Sequence, residues 1–538
     1  MKKWSVMLVA FVMIAMVAGC TTGANPPGKE GDKSGKEKIV SLNNGNEPTS
    51  LDPPIGFDAI SYNPLNNLME GLTRLGKNNE PEAATAEKWE VSSDGKTYTF
   101  KIREDAKWSD GKPVTAQDFE YAWKRVADPK TASPAAFLSY FIQGAEEFNT
   151  GKGSAQDMKV KAKDDKTLEV TLNSPQKYFL SVISNPVFFP VPKETVEKNK
   201  DWAKEANTFV GNGPFKLAEW KHKDQMKMVK NNNYWDAKSV KLDGVVWKMI
   251  GDSNTEYQMF QTGELSTSGI PADLSEKLFK EGKAKVEDQS GTYFFRFNVK
   301  MKPFQNKNIR KAFSLAVNQE DIVNYVTKNK EKPAHGFVAY GFNDPAGGDF
   351  REIGSDLIKP DKEKAKELLQ KGMKEEGYDR LPPVTLTYST GDDTHKKIAE
   401  ALQEMFKENL GVNVKLASLE ANVFSTDQKA LKLQFSRSSF LADYADPINF
   451  LESFVTDSPM NRTGWGNKEY DKLIASAKKE GDEKKRFEDM HKAEKILIDE
   501  APIFPLYFYN QVYLQNENVT GIVRHPVGYL ELKWADVK

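Results

Sequence analysis

The single cysteine of this 538-residue chain, Cys20, directly follows a short apolar run at the N-terminus. Lys2 and Lys3 precede the run, which extends from Ser5 to Gly19 and is too short to cross a bilayer as a permanent helix. A basic start, an apolar run and small residues before a cysteine are the layout of a lipoprotein signal. We therefore predict that residues 1–19 are removed, that Cys20 is lipidated, and that the fold contains no disulfide. An ordinary signal peptide with an incidental cysteine is the alternative interpretation.

The segment after Cys20 has almost no hydrophobic residues. Residues 21–38 read TTGANPPGKEGDKSGKEK, in which one alanine is the only hydrophobic side chain. Such a composition cannot bury enough apolar surface to fold. We expect residues 20–38 to be a flexible tether. Lipid on Cys20 would hold the protein on the extracytoplasmic face of the cell membrane, since stable anchoring needs two or more acyl chains.

Charge is balanced along the whole chain. The 76 basic and 77 acidic residues give a formal net charge of −1, and no block of basic residues occurs. A nucleic-acid partner is therefore not expected. The length suggests about three domains.

Residue patterns predict a mixed α/β fold without regular βαβ alternation. Residues 96–103 and 159–172 alternate polar and apolar side chains, the first of them after an Asp94-Gly95 turn, as in β-hairpins. Thr115 is placed to cap a helix with Phe119, Ala122 and Trp123 on its buried face. Two further amphipathic helices are predicted, one around residues 398–406, ending near Gly411, and one around 487–497. A dense aromatic strand at residues 292–297 is a candidate domain start.

Enzyme signatures are missing from the sequence. The five histidines form no H-E-x-x-H motif, and neither a G-x-S-x-G elbow nor a phosphate-binding loop occurs. Metal-ligand spacing is likewise missing, so we expect no metal, no cofactor and no catalysis. Because paired carboxylates cannot be recognised by spacing alone, an extracytoplasmic hydrolase remains a second hypothesis.

Residues Ala86–Arg125 (AEKWEVSSDGKTYTFKIREDAKWSDGKPVTAQDFEYAWKR) carry the strongest family signal. This stretch resembles the signature region of the oligopeptide- and dipeptide-binding lipoproteins of ABC transporters, solute-binding protein family 5. Ordered matches continue through most of the chain, at Ser50–Pro53, Glu70–Leu72, Gly211–Phe215, Asn308–Ala312, Ala442–Pro447 and Pro505–Tyr509.

The resemblance implies a two-lobed α/β clamp of the periplasmic-binding-protein type (type II), with an extra inserted domain and three domains in all. Lobe I would combine residues 39–69, 192–291 and 510–538. Residues 70–191 would form the inserted domain and residues 292–509 lobe II. Closure about a hinge would bury a di- to tetrapeptide between the lobes. The family further implies a monomer that delivers its ligand to ABC permease subunits and their ATPase.

The family's ligand contacts map onto three groups of residues. Asp443 corresponds to the aspartate that accepts the peptide α-ammonium, and its alternative role is that of a turn aspartate, which Asp446 fits better. Arg437 and His395 correspond to positions that bind the carboxylate of short peptides; their alternatives are a rim ion pair and a helix-start residue. Backbone pairing by strand addition maps to two segments, Phe57, Asp58 and Ala59, and Ser439, Phe440 and Leu441.

Several positions depart from the family pattern. The usual pocket tryptophan is Ala421, a pocket arginine of some relatives is Gln428, and a distant lysine is lost near residues 325–327. Two cysteines that some relatives have map near Gly291 and Leu441. These changes favour short ligands, and the space at position 421 keeps a murein (cell-wall) peptide as an alternative ligand. Nickel complexes or haem, which other relatives bind, are disfavoured because the histidines are scattered.

Overall fold

The computed structural model describes residues 37–271, 273–390 and 392–538. Residues from Lys38 to Lys538 form one compact unit, whereas the predicted signal (1–19), the lipidation site Cys20 and most of the predicted tether lie outside the described residues. Lys38, the last predicted tether residue, already belongs to the fold, because its Nζ lies 2.6 Å from Asp536 Oδ1. None of the helices in the described ranges has the length and apolarity needed to cross a membrane.

The described strands are short except for two of 13 residues. They are β1 (Ile39–Asn43), β2 (Thr73–Leu75), β3 (Pro81–Ala83), β4 (Ala86–Val91), β5 (Thr97–Ile102), β6 (Val160–Asp164), β7 (Thr167–Thr171), β8 (Phe215–Lys221), β9 (Gln225–Lys230), β10 (Gly244–Lys248), β11 (Thr267–Ser268), β12 (Lys285–Phe297), β13 (Lys332–Pro333), β14 (Val384–Ser389), β15 (Val414–Leu419), β16 (Phe435–Leu441), β17 (Ile503–Gln515), β18 (Val519–Thr520), β19 (Val523–Arg524), β20 (Leu530–Glu531) and β21 (Asp536–Val537).

The described α-helices are concentrated in the second half of the chain. They are α1 (Ala59–Leu68), α2 (Ala116–Ala127), α3 (Ala145–Asn149), α4 (Phe179–Val182), α5 (Lys193–Lys198), α6 (Ser253–Gln261), α7 (Ser275–Lys280), α8 (Lys307–Leu315), α9 (Gln319–Asp321), α10 (Phe350–Gly354), α11 (Lys362–Glu375), α12 (Asp393–Leu410), α13 (Ala421–Lys429), α14 (Ile448–Leu451), α15 (Lys468–Lys479) and α16 (Glu483–Glu500). A π-helical turn, Ile322–Thr327, follows α9 directly.

The local sequence predictions are confirmed. The Asp94-Gly95 turn joins β4 to β5, and β6 pairs with β7. Thr115 begins α2 with a reciprocal capping box to Asp118, which satisfies two donors at the helix start. Helix α12 ends at Gly411 in the left-handed conformation (φ 71°), and β15 follows. These elements form because their caps, turns and apolar periods lie within short stretches of sequence.

The fold contains three larger β-sheets. The first has the order β1-β10-β9-β8, the second, from the predicted inserted domain, β4-β5-β7-β6, and the third β11-β17-β12-β16-β14-β15, with β13 also paired to β17. In the third sheet Tyr293, Phe295 and Phe297 of β12 belong to one buried cluster, and Phe294 belongs to the other. Both faces of this sheet are therefore covered, as the dense aromatic pattern of β12 requires.

The predicted boundaries of lobe II fall inside two paired strands. Residues 291/292 lie within β12 and residues 509/510 within β17, and these strands pair along most of their length. Their register shifts between Asp288 and Thr292, so a bulge lies at the predicted boundary. Gly291 and Leu441, the positions to which the family's cysteines map, face each other in the β12–β16 ladder.

Candidate functional site

Strand β16 has one open edge at its C-terminal half. Strand β12 pairs with it from Phe435 to Leu441. On the other side, β14 pairs only with Phe435 and Ser436. In the part of the chain that the structure describes, no strand lies beside residues 437–441 on that side. A row of unpaired backbone groups of this kind accepts an added strand.

The ladder shows which backbone groups face the open edge. The amide of Ala442 donates to the carbonyl of Ser290 (2.8 Å), the residue opposite it. Residues of an antiparallel ladder alternate between pointing their N–H and C=O groups at the partner strand and away from it. The backbone groups of Ser439 and Leu441 therefore point to the open edge. Both residues are exposed, whereas the Phe440 side chain is core and packs 4.7 Å from the ring of Phe450.

Asp443 lies just beyond the end of this edge. It is half-buried, and burial raises its pKa to about 7, against a hydrogen bond from Asn449 and with a smaller contribution from Glu452. In the described chain, no cation is among the groups that shift this pKa. The backbone carbonyl oxygen of Asp443 accepts hydrogen bonds from the hydroxyl of Tyr529 (2.9 Å) and from the side-chain amide of Asn185 (3.1 Å). A desolvated carboxylate without a counter-charge is a site for an ammonium group.

Asp446 differs from Asp443 in having a partner. Its Oδ1 lies 2.6 Å from Nη2 of Arg486 and accepts a hydrogen bond from the amide of Ile448 (3.0 Å). Both side chains of the ion pair are buried. Asp446 therefore has the structural role that the sequence analysis considered for this segment, and Asp443 is left available.

Arg437 and His395 lie together at the other end of the edge. Nη2 of Arg437 donates to the hydroxyl of Ser389 (2.6 Å), and its Nε is buried without a partner among the described residues. Nδ1 of His395 lies 3.2 Å from the hydroxyl of Tyr293. Burial and the nearby charge of Arg437 lower the pKa of His395, opposed by Asp392. A neutral imidazole beside a guanidinium can bind a carboxylate by charge and hydrogen bonding together.

Residues 57–59 form a helix start instead of a strand. Asp58 caps α1, since its Oδ1 accepts from the amide of Ser61 (2.8 Å) and its Oδ2 also binds Thr49. Ala59 is the first residue of that helix, and the amide of Phe57 donates to the carbonyl of Ile55 (2.9 Å). Strand addition at this segment stays a prediction.

Aromatic contacts place this segment beside Asp443. The ring of Phe57 lies 5.9 Å from Tyr62, which lies 5.9 Å from Tyr529. The hydroxyl of Tyr62 is buried without a partner in the described ranges, and the charge of Asp443 contributes to raising its pKa after burial and Tyr529. Tyr62, Asn185 and Tyr529 were missed by sequence analysis, because no local pattern distinguishes them from core residues.

Gln428 closes the open edge at the Arg437 end. Its side-chain amide donates to the carbonyl of Arg437 (2.9 Å) and to the hydroxyl of Ser436 (3.0 Å). Its own carbonyl accepts from Nη1 of Arg462 (3.3 Å). In the sequence Gln428 is notable only as the position of a missing pocket arginine, and no local pattern distinguishes Arg462.

The two-lobed α/β fold, with an open strand edge between a carboxylate and a cation, defines a solute-binding protein of the clamp type. A family model described as "Bacterial extracellular solute-binding proteins, family 5 Middle" matches residues 80–462. The chain is 63% identical to the dipeptide-binding protein DppE of Bacillus subtilis over 99% of both chains. The chain therefore belongs to solute-binding protein family 5.

Solved structures agree with this assignment. The Listeria monocytogenes OppA bound to peptide matches with a TM-score of 0.76 and 33% identity, over 94% of this chain and 99% of that one. The Escherichia coli murein tripeptide binding protein MppA matches with a TM-score of 0.75 and 31% identity, over 94% of this chain and 99% of that one.

Proposed function

We propose that this chain is the extracytoplasmic binding protein of an ABC importer for short peptides. It binds di- to tetrapeptides between its lobes and delivers them to permease subunits in the membrane, which an ATPase drives. The observation that carries this proposal is the open edge of β16, with unpaired Asp443 at one end and Arg437 at the other. The names of the relatives, a dipeptide-binding protein and a peptide-bound OppA, support it.

The geometry suits a peptide in one orientation. With its ammonium at Asp443 and its carboxylate at Arg437 and His395, a peptide runs antiparallel to β16. Residues 437–441 span about 13 Å at ~3.3 Å per residue, the length of about four extended residues. Backbone pairing at Ser439 and Leu441 reads no side chain, so many sequences can bind.

The lobes would close by bending of the strands that connect them. β12 and β17 pass through both predicted boundaries, and the bulge at residues 289–291 is the proposed hinge. Contacts across the cleft would hold the closed form. The amide of Ala445 donates to the hydroxyl of Ser181 (2.9 Å), and the ring of Tyr444 stacks 5.4 Å from that of Tyr178.

Attachment to the membrane completes the proposal. Lipid on Cys20 anchors a monomer to the outer face of the cell membrane, and residues 21–36 supply most of the tether. The protein acts by binding and release, without turnover of the peptide.

Calorimetry tests this function directly. Tri-alanine should bind, and both N-acetyl-tri-alanine and tri-alanine amide should bind at least about tenfold more weakly, since each lacks one terminal charge. Native mass spectrometry of protein purified from cells should reveal co-purifying peptide masses. Equal affinities for the three peptides, or cleavage of bound peptide in a peptidase assay, would contradict the proposal.

A further inference from the structure

Three arginines lie around the β12–β16 ladder without any ion-pair partner in the described chain. They are Arg296, Arg437 and Arg462. Arg437 belongs to the carboxylate end of the site described above. The other two have no role in that site, although their side chains are at least half removed from water. Buried cations without a counter-charge are unfavourable, so this pair requires an explanation.

Arg462 has one bonded donor and one donor without a partner in the described residues. Its Nη1 donates to Oε1 of Gln428 (3.3 Å), while its Nε is buried without a partner in the described residues. Burial lowers its pKa. The same Gln428 binds the carbonyl of Arg437 on the open edge, so the guanidinium of Arg462 lies one side chain away from the position of an added peptide strand.

Arg296 lies behind Arg462 and strengthens the local positive charge. It is only 3% exposed, its Nε donates to the hydroxyl of Ser438 (2.8 Å), and its Nη1 donates to the carbonyl of Met460 (2.9 Å). Burial, and secondly the charge of Arg462, lower its pKa to about 9. Two neighbouring guanidinium groups thus share a site in which no carboxylate pairs with either of them in the described chain.

This pair lies on the opposite face of the sheet from Arg437. Arg296 is directly opposite Ser436, and Arg437 is directly opposite Phe295, so the two faces alternate along the ladder. Side chains of a peptide added to the edge alternate in the same way. At the Arg437 end, one ligand side chain therefore points towards the face that Arg462 and Arg296 share.

We propose that Arg462 is a specificity-determining residue that binds the carboxylate of an acidic ligand side chain, with Gln428 positioning it and Arg296 adding to the positive charge that the carboxylate meets. This proposal rests on the proposed peptide-binding function. A carboxylate on a short aliphatic stem would complete the free Nε and one Nη donor in a forked pair. The protein would thus accept many short peptides and prefer those with glutamate or aspartate at one position.

Six tripeptides test the proposal by calorimetry: alanine peptides with one glutamate at the first, second or third position, and the same three with glutamine. Wild-type protein should favour glutamate by about tenfold at one position and by less than about twofold at the others. R462Q should reduce that preference to below about twofold while keeping its affinity for the glutamine peptides.

The matched control is R103Q. Arg103 is also half-buried and outside any ion pair in the described chain, with its guanidinium 3.7 Å from the ring of Trp235, and it lies outside the site. R103Q should keep the glutamate preference. The inference is overturned if wild-type protein shows no preference, if R462Q keeps it, if R103Q also loses it, or if R462Q loses the glutamine peptides equally. If none of the six peptides binds to wild-type protein, the peptide-binding function itself fails.

Discussion

The side-chain amide of Gln428 donates a hydrogen bond of 2.9 Å to the carbonyl oxygen of Arg437, where the open edge of β16 begins. This contact occupies the acceptor that the backbone amide of a longer peptide would use. The ladder available to a ligand is therefore limited to Ser439 and Leu441, which is a physical reason for a preference for short peptides.

Removing this contact should lengthen the permitted ligand. In Q428A the carbonyl of Arg437 is free, so the affinity for penta-alanine relative to tri-alanine should rise by about fivefold, the equivalent of one hydrogen bond at ~1 kcal/mol. Calorimetry of the two peptides measures the ratio. Q403A is the control, because Gln403 donates to the carbonyl of Val414 (2.7 Å) on another strand; an equal change there would exclude the edge-closing role.

Asp443 and Asp446 should respond in opposite ways to the same substitution. D443N removes the ammonium partner, so peptide affinity should fall by about two to four orders of magnitude, or ~3–5 kcal/mol, while the ligand-free fold is not destabilised. D446N removes the buried partner of Arg486 and leaves it only the partly exposed Glu483 at 3.4 Å, so it should lower the free energy of unfolding by up to ~3 kcal/mol. Calorimetry and thermal unfolding distinguish them. Destabilisation by D443N comparable to that by D446N would assign Asp443 a structural role.

The pKa of Asp443 makes both stability and binding depend on pH. Its pKa is about 7 in the folded protein and ~3.9 in an unfolded chain, so the folded state binds more protons between these values. The ligand-free protein should become more stable as pH falls from about 7 towards 4. Peptide affinity should change the other way and fall by up to about tenfold per pH unit below 7, because the ammonium requires the carboxylate.

Two measurements check these signs. Thermal unfolding between about pH 4 and 7.5 gives the free energy of unfolding of wild-type protein and of D443N. The part of their difference that depends on pH should disappear towards low pH, where Asp443 is protonated. Calorimetry with tri-alanine should follow the affinity over the same range, in which the peptide amine remains mostly charged. Affinity that stays constant between pH 5 and 7 would rule out a raised pKa at Asp443.

Arg437 should control both the carboxylate preference and the titration of His395. R437Q removes the cation, so the discrimination between tri-alanine and its amide should fall by about tenfold or more. The pKa of His395 should rise in the same variant, since the charge of Arg437 lowers it. Nuclear magnetic resonance titration of the imidazole measures this shift. An unchanged pKa would show that the two side chains are not neighbours in solution.

Much of the local structure was predictable because its causes are local. The capping box of Thr115 and Asp118, the Asp94-Gly95 turn and the left-handed Gly411 each depend on a few adjacent residues. Asp443 was found in a different way, through the ordered family motifs around it. Its role in ligand binding stays a prediction, now supported by its missing counter-charge.

The sequence by itself determined the family, the mixed α/β elements and a candidate position for each end of the peptide. Tertiary structure alone decided that β16 keeps an open edge, that Asp58 is engaged in capping α1, and that Arg462 meets Gln428 across 34 positions of sequence. Such features depend on strand pairing and on charges brought together from distant segments. No short pattern encodes them, because free edges and unpaired charges are defined by what the rest of the fold leaves unoccupied.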